Sequence, residues 1–271
     1  MGEKFISAKL DVVFKMLFAN EKNRNILEAF LSDMLDIPPE KLNNVVVKNP
    51  NIDPEYIDEK YYRLDLLLDI GGKFINVEMQ VRYEKYYDSR TLLYWSKQYS
   101  SQLDSGDNYA KLCPCIAVNI MDYIIFDEHD DFHSKFEIWD VKHNRKLSDK
   151  MEIHFFELKK VKGNIDTNDH KKLWLQFLKA ETKEEFAMLE NIGVPAIENG
   201  VQAIYTMSAD EKLKENIRMR EKMLHDKASE LAAAIEEGRA EGEAKKESEI
   251  AARMRAAGMS ENEIIKFIRG T

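Results

Sequence analysis

The sequence predicts an α/β domain followed by a helical region, and three observations carry that expectation. Apolar residues recur at helical spacing through the first 35 positions. A Gly71-Gly72 pair joins two strand-like runs between Arg63 and Val81. From His170 onward the pattern is helical with few breaks. A chain of 271 residues is long enough to bury a sizeable core and to carry an appendage beyond it.

Taken in order, Leu10, Phe14, Leu17 and Phe18 form one apolar stripe, and Ile26, Leu27, Phe30, Leu31 and Leu35 form a second, so helices are expected over 7–35. Pro38-Pro39 ends that unit. Val45 to Val47 is a short strand, followed by a polar loop rich in Asn and Asp. Arg63–Ile70 and Lys73–Val81 are the two arms of a hairpin, because glycine accepts the positive φ of the tight turns that join such arms. Tyr83 to Leu103 has helical spacing. Cys113–Met121, Phe136–Val141 and Met151–Leu158 read as further strands. Gly193-Val-Pro195 breaks the helical region, and a charged helix runs from about Ala209 towards Gly238. The tail from Glu236 is charged and rich in small residues, with two short helices around Gly258. The expected division is a domain over 1–165, a helical region over 166–235 and a charged helical tail over 236–271. The segment after Leu178 is expected to be dispensable for chemistry and to mediate self-association.

Composition narrows the classes. An apolar fraction of 44% fits a globular chain rather than a disordered one. No run approaches the roughly 20 apolar residues that span a bilayer, and the start lacks the build of a secretory signal, so no membrane partner is expected. Two cysteines, Cys113 and Cys115, read as thiols in a strand, which fits a cytoplasmic protein. The net charge of −9 argues against a surface coated with phosphate-binding residues. Between Lys60 and Lys97 the sign reverses, with seven Lys/Arg against five Asp/Glu. No phosphate-cradling glycine motif supports an ATP-using enzyme.

The hairpin permits a register to be derived. If Gly71-Gly72 is a two-residue turn, Ile70 pairs with Lys73, Asp65 faces Glu78 and Arg63 faces Gln80. Alternation then puts Leu64, Leu66, Leu68, Ile70, Ile75, Val77, Met79 and Val81 on a core face. Arg63, Asp65, Asp69, Asn76, Glu78 and Gln80 form a polar ledge on the other. Two carboxylates directly opposed on neighbouring strands repel. Solvent screening, a raised pKa on one of them, or a bound cation relieves that repulsion. Two carboxylate donors in one coordination sphere suit a hard cation such as Mg²⁺ or Mn²⁺.

Asp65 followed by Glu78-Met79-Gln80 resembles the Asp…Glu-x-Lys core of PD-(D/E)XK nucleases, with glutamine at the usual lysine position. Asp11-Val-Val-Phe-Lys-Met-Leu-Phe18, Arg90 with Tyr94, and Gly106-Asp-Asn-Tyr109 are similar to the recombination-promoting nuclease branch, also described as transposase-like, over roughly residues 5–160. The resemblance implies a mixed central sheet flanked by helices, as in restriction endonucleases. It implies metal-dependent endonucleolytic hydrolysis of DNA phosphodiesters, associated with recombination or mobile elements. Asp65 and Glu78 match the metal-binding carboxylates, with the Met79 carbonyl as a main-chain ligand for Mg²⁺ or Mn²⁺. Gln80 matches the catalytic lysine; glutamine orients water by hydrogen bonds but supplies no positive charge. Arg63 opposite it is a candidate for the missing charge.

Other residues carry two readings each. Asp11, one turn before Lys15, fits an i,i+4 ion pair; in the family an acidic residue on the first helix reaches the metal. Tyr83, Tyr87, Arg90, Tyr94 and Lys97 share a helical face, as core or as a DNA surface in which Arg90 clamps phosphate and Tyr94 and Lys97 contribute alongside it. His129 and His133 have zinc spacing but lack completing ligands, and are expected in a surface loop. Two rival functions remain beside the nuclease. One is a DNA-binding or assembly protein that keeps the fold without turnover. The other is a two-carboxylate glycosidase, which directly paired strand carboxylates disfavour.

Overall fold

In the computed structural model, residues 4–48 and 65–269 are described. Helices α1 (Asp11–Phe18) and α2 (Arg24–Leu35) open the chain, followed by strand β1 (Val45–Val47). The hairpin is β2 (Leu66–Ile70) and β3 (Lys73–Gln80). Helix α3 (Tyr87–Ser100) leads to β4 (Cys115–Met121), β5 (His133–Phe136), the short pair β6 (Trp139–Asp140) and β7 (Arg145–Lys146), and β8 (Met151–Glu157). Helices α4 (His170–Lys179), α5 (Lys183–Ala187), α6 (Pro195–Ala209), α7 (Glu211–Ala256) and α8 (Glu261–Arg269) complete it. The polar loop expected after Val47, and with it Arg63 and Leu64, lies outside the described residues.

The described residues form a six-stranded mixed sheet in the order β1-β2-β3-β4-β8-β5. Its centre, β3-β4-β8, is parallel, and the remaining pairings are antiparallel. This is the restriction-endonuclease-like α/β architecture the sequence led us to expect. The hairpin register is the derived one, Leu66↔Val77 through Ile70↔Lys73. Gly71 and Gly72 both hold positive φ, 58° and 93°, the conformation that a two-residue turn requires and a side chain resists. Asp69 serves this turn, accepting the Gly72 amide at 2.8 Å.

The two faces of the sheet are covered differently. Leu66, Leu68, Ile75, Val77 and Met79 are buried, as the alternation required; Val81, beyond the end of β3, is exposed. The opposite face is not a wet ledge. Asn76 and Glu78 are both buried there. Helix α3 closes over it: Tyr87 packs with Ala117, Met121, Ile153 and Phe155, and Trp95 donates its indole N–H to the Cys115 carbonyl at 2.8 Å.

The aromatic core lies among the helices. Phe18 meets Phe30 at 4.7 Å and Phe30 meets Trp174 of α4 edge-on at 5.4 Å. Phe186 of α5 packs edge-on against Phe5, and Ile197, Val201 and Ile204 of α6 are fully buried. The compact unit therefore runs from the N-terminus to Glu211, beyond residue 165. The segment after Leu178 supplies buried residues to this unit.

Two strand expectations are corrected. The strand expected over Phe136–Val141 is instead β5, ending at Phe136, plus the separate β6–β7 pair. The edge position beside β8 takes His133–Phe136, because that segment supplies the antiparallel partners of Ile153–Phe156. His133 consequently sits in a strand rather than a loop, stacked 4.2 Å from the Phe156 ring. The second unit covers 212–271. The helix expected to end near Gly238 continues through it to Ala256, and the chain turns at Gly258, φ +83°, into α8, where Ile264 is buried. Among the described residues no helix is long and apolar enough to cross a membrane.

Candidate functional site

Asp65 and Glu78 come together at the carboxyl end of β3. Asp65 stands one residue before β2 and so lies outside the ladder; its Oδ2 accepts the Met79 backbone N–H at 2.8 Å. Glu78 points to the α3 side of the sheet and is 6% exposed. Its Oε1 is buried without a hydrogen-bond partner, an arrangement that natively folded chains rarely tolerate without a ligand or a proton there.

The electrostatics follow from this placement. Burial pushes the Glu78 carboxyl well above the ordinary carboxylate range, and the Asp65 charge pushes it further; Arg90 and a hydrogen bond from Asn76 oppose both. Asp65 is raised chiefly by burial, against the Met79 amide bond and the Lys15 charge, while Asp11 adds to the rise. The ionised pair is thus a cost to the fold unless a cation or a proton sits between the carboxyls.

The donor set fits a hard divalent cation. Asp65 and Glu78 supply two carboxylates, one with a free buried oxygen. The Met79 carbonyl leaves β3 on the same edge as its amide, towards Asp65, because both groups of one strand residue face one neighbour. Among the described residues there is no cluster of three or more His, Cys, Asp or Glu side chains arranged for a metal, so a cation here would take most of its ligands from water or phosphate. Asp11 and Lys15 of α1 both act on Asp65, which puts the first helix beside the pair. Asp11 accepts the amide of its own neighbour Val12 at 2.7 Å.

Gln80, two residues after Glu78, is half-buried. Its Nε2 donates to the Arg82 carbonyl at 2.9 Å and reaches Glu84 Oε2 at 3.5 Å. Arg90 ion-pairs with Glu84 through Nη1, while its Nη2 lies 3.8 Å from Glu78 Oε2. The guanidinium carbon sits 4.9 Å from the Tyr87 ring centre and 5.4 Å from that of Tyr94. Among the described residues, Arg90 acts on both carboxyls and Lys15 on Asp65.

The aromatic stripe divides. Tyr87 is core: fully buried, its hydroxyl donates to Asn119 Oδ1 at 3.1 Å. Tyr83 precedes α3 and is exposed, edge-on to Tyr123 at 5.4 Å. Tyr94 is half-buried, and Lys97 is exposed roughly 10 Å along the helix from Arg90.

Sequence reasoning passed over several neighbours. Asn119 in β4 accepts from both Tyr87 and Thr91 and donates to the His154 carbonyl. Its signal was legible: one amide inside the apolar run Cys115–Met121. Asp122, whose amide donates to Gln80, holds Lys9 at 2.8 Å and Lys159 at 3.1 Å; nothing local marked it. His129 and His133 form no site together; His133 instead contacts His154 at 2.9 Å and His129 reaches Ser134.

A family model described as PD-(D/E)XK nuclease family transposase matches residues 8–234. No curated protein and no solved structure matches the chain significantly.

Proposed function

Because the chain belongs to the PD-(D/E)XK nuclease family transposases, we propose that it is a divalent-metal-dependent DNA endonuclease serving recombination or mobile elements. The observation that carries this reading is the buried Glu78 carboxyl, raised by Asp65 and left with an unpartnered oxygen at the strand end where the family motif falls. Asp65, Glu78 and the Met79 carbonyl hold Mg²⁺ or Mn²⁺, and Asp11 supports them by its charge. When bound, the cation acidifies a water and neutralises phosphate oxygens. The Gln80 amide orients the attacking water, and Arg90 binds a phosphate, with Tyr94 and Lys97 continuing the DNA surface along α3. Two free thiols, Cys113 and Cys115, suit a reducing cytoplasm.

The test is incubation of supercoiled plasmid with a panel of divalent cations, beside EDTA and Asp65→Ala. Cleavage with Mg²⁺ or Mn²⁺ that both controls abolish is the expected result; cleavage that survives Asp65→Ala sinks the site. A second reading, DNA binding without turnover, draws on Gln80, which brings no charge to the lysine position and whose amide is engaged with Arg82 and Glu84. It is the outcome if the wild type binds DNA and cuts with no cation.

A further inference from the structure

We propose that Arg90 and Gln80 form an oxyanion subsite for a DNA phosphate, and that the Glu84 carboxylate occupies it as an internal surrogate until DNA displaces it. The proposal rests on the DNA-cleavage reading and deepens it. One oxygen, Glu84 Oε2, pairs with Arg90 Nη1 and lies 3.5 Å from Gln80 Nε2. A phosphate oxygen makes the same two contacts, since carboxylate and phosphate offer a guanidinium equivalent acceptors. An ordinary surface ion pair would engage the arginine alone. This one takes up both Arg90 and Gln80.

The surroundings are built for an anion. Tyr87 and Tyr94 flank the guanidinium and fix its plane, which aims its donors at one place. Glu84 lies on the exposed segment between β3 and α3, whose last residue, Tyr86, holds φ +68°, an unfavourable conformation for a side-chain-bearing residue. That turn leads into α3, which presents Arg90 to the Glu84 carboxylate. Tyr83 and Tyr86 on the same segment are 68% and 67% exposed, rings available to sugars or bases once the segment meets DNA. Glu84 thus makes the subsite selective, because a ligand must compete with a tethered carboxylate and only a well-placed anion does so.

The experiment measures binding of a short fluorescent DNA duplex by anisotropy in EDTA, so that cleavage plays no part. Wild type, Glu84→Gln, Arg90→Ala and the double variant are compared. Glu84→Gln should tighten binding on the order of fivefold, the scale of one exposed ion pair, and Arg90→Ala should weaken it. The gain from Glu84→Gln should vanish in the Arg90→Ala background. If Arg90→Ala weakens binding but Glu84→Gln does not tighten it, the surrogate role is overturned while the DNA site stands. An equal gain in both backgrounds means general charge relief and also overturns it. No effect of Arg90→Ala removes the DNA surface itself and the proposal with it. Arg90→Lys replaces Arg90→Ala if the latter loses its cooperative unfolding transition.

Discussion

The Asp65 carboxylate accepts the backbone amide of Met79 at 2.8 Å, so the first acid of the site is anchored to the residue directly after the second. This bond fixes the distance between Asp65 and Glu78 through the backbone of β3 rather than through flexible side chains. The pair is held together although its charges repel.

That enforced proximity predicts a pH-dependent stability. A carboxyl raised on folding binds more protons folded than unfolded, so stability falls as pH rises from its unfolded value, near 4, through its raised folded value. Metal-free protein should therefore lose thermal stability between pH 5 and pH 8, about the window those shifts define. Glu78→Gln should flatten the slope. A pH-independent Tm in EDTA would contradict the electrostatic account.

Cation binding should restore what pH removes. Adding Mg²⁺ or Mn²⁺ should raise Tm by mass action, more at pH 8 than at pH 5, and Asp65→Ala should abolish the shift. Calorimetry on wild type and variant reads this without any cleavage assay.

Catalytic damage should follow a fixed order. Asp65→Ala is worst, because it disturbs the cation on which water activation depends. Gln80→Ala should cost roughly 10²-fold, the loss of one positioned hydrogen-bonding group. Gln80→Lys should be mild or beneficial, since lysine adds positive charge at that position. Wild-type rates in Gln80→Ala would make Gln80 a bystander.

Truncation after Glu211 should leave a folded, cleaving unit, whereas truncation after Leu178 should not fold. The latter removes Phe186, Ile197, Val201 and Ile204, all fully buried. Loss of four such side chains, at about 3 kcal/mol each, is comparable to a typical domain's whole stability. A cooperative unfolding transition in the shorter fragment would overturn this.

A buried ion pair away from the site gives a stability control. Glu157, fully buried, takes the Ile125 amide at 2.7 Å and pairs with Lys160 at 2.7 Å. Lys160→Met leaves that carboxylate without its cation and should cost about 3–5 kcal/mol in urea unfolding. Glu157→Gln in addition should recover part of the loss.

The sequence by itself determined the hairpin and its register from Leu66↔Val77 to Ile70↔Lys73. Strand alternation and a glycine turn are local rules, and they operate between residues close along the chain. It also determined the first two helices, because their apolar spacing is a property of the segment alone. What lay on the other face of the hairpin was decided only by tertiary structure. Asn76 and Glu78 read as a polar ledge, yet Tyr87 and the strands beyond β3 bury them, and that burial is what raises Glu78. Arg90 stands beside Glu78 for the same reason: a helix crossing a sheet brings together residues that no periodicity relates. The extent of the core was decided there too. A buried helix such as α6 has the same pattern whether it packs on the sheet domain or beside it, and only the partners of its Tyr205, Phe5 and Phe186, distinguish the two.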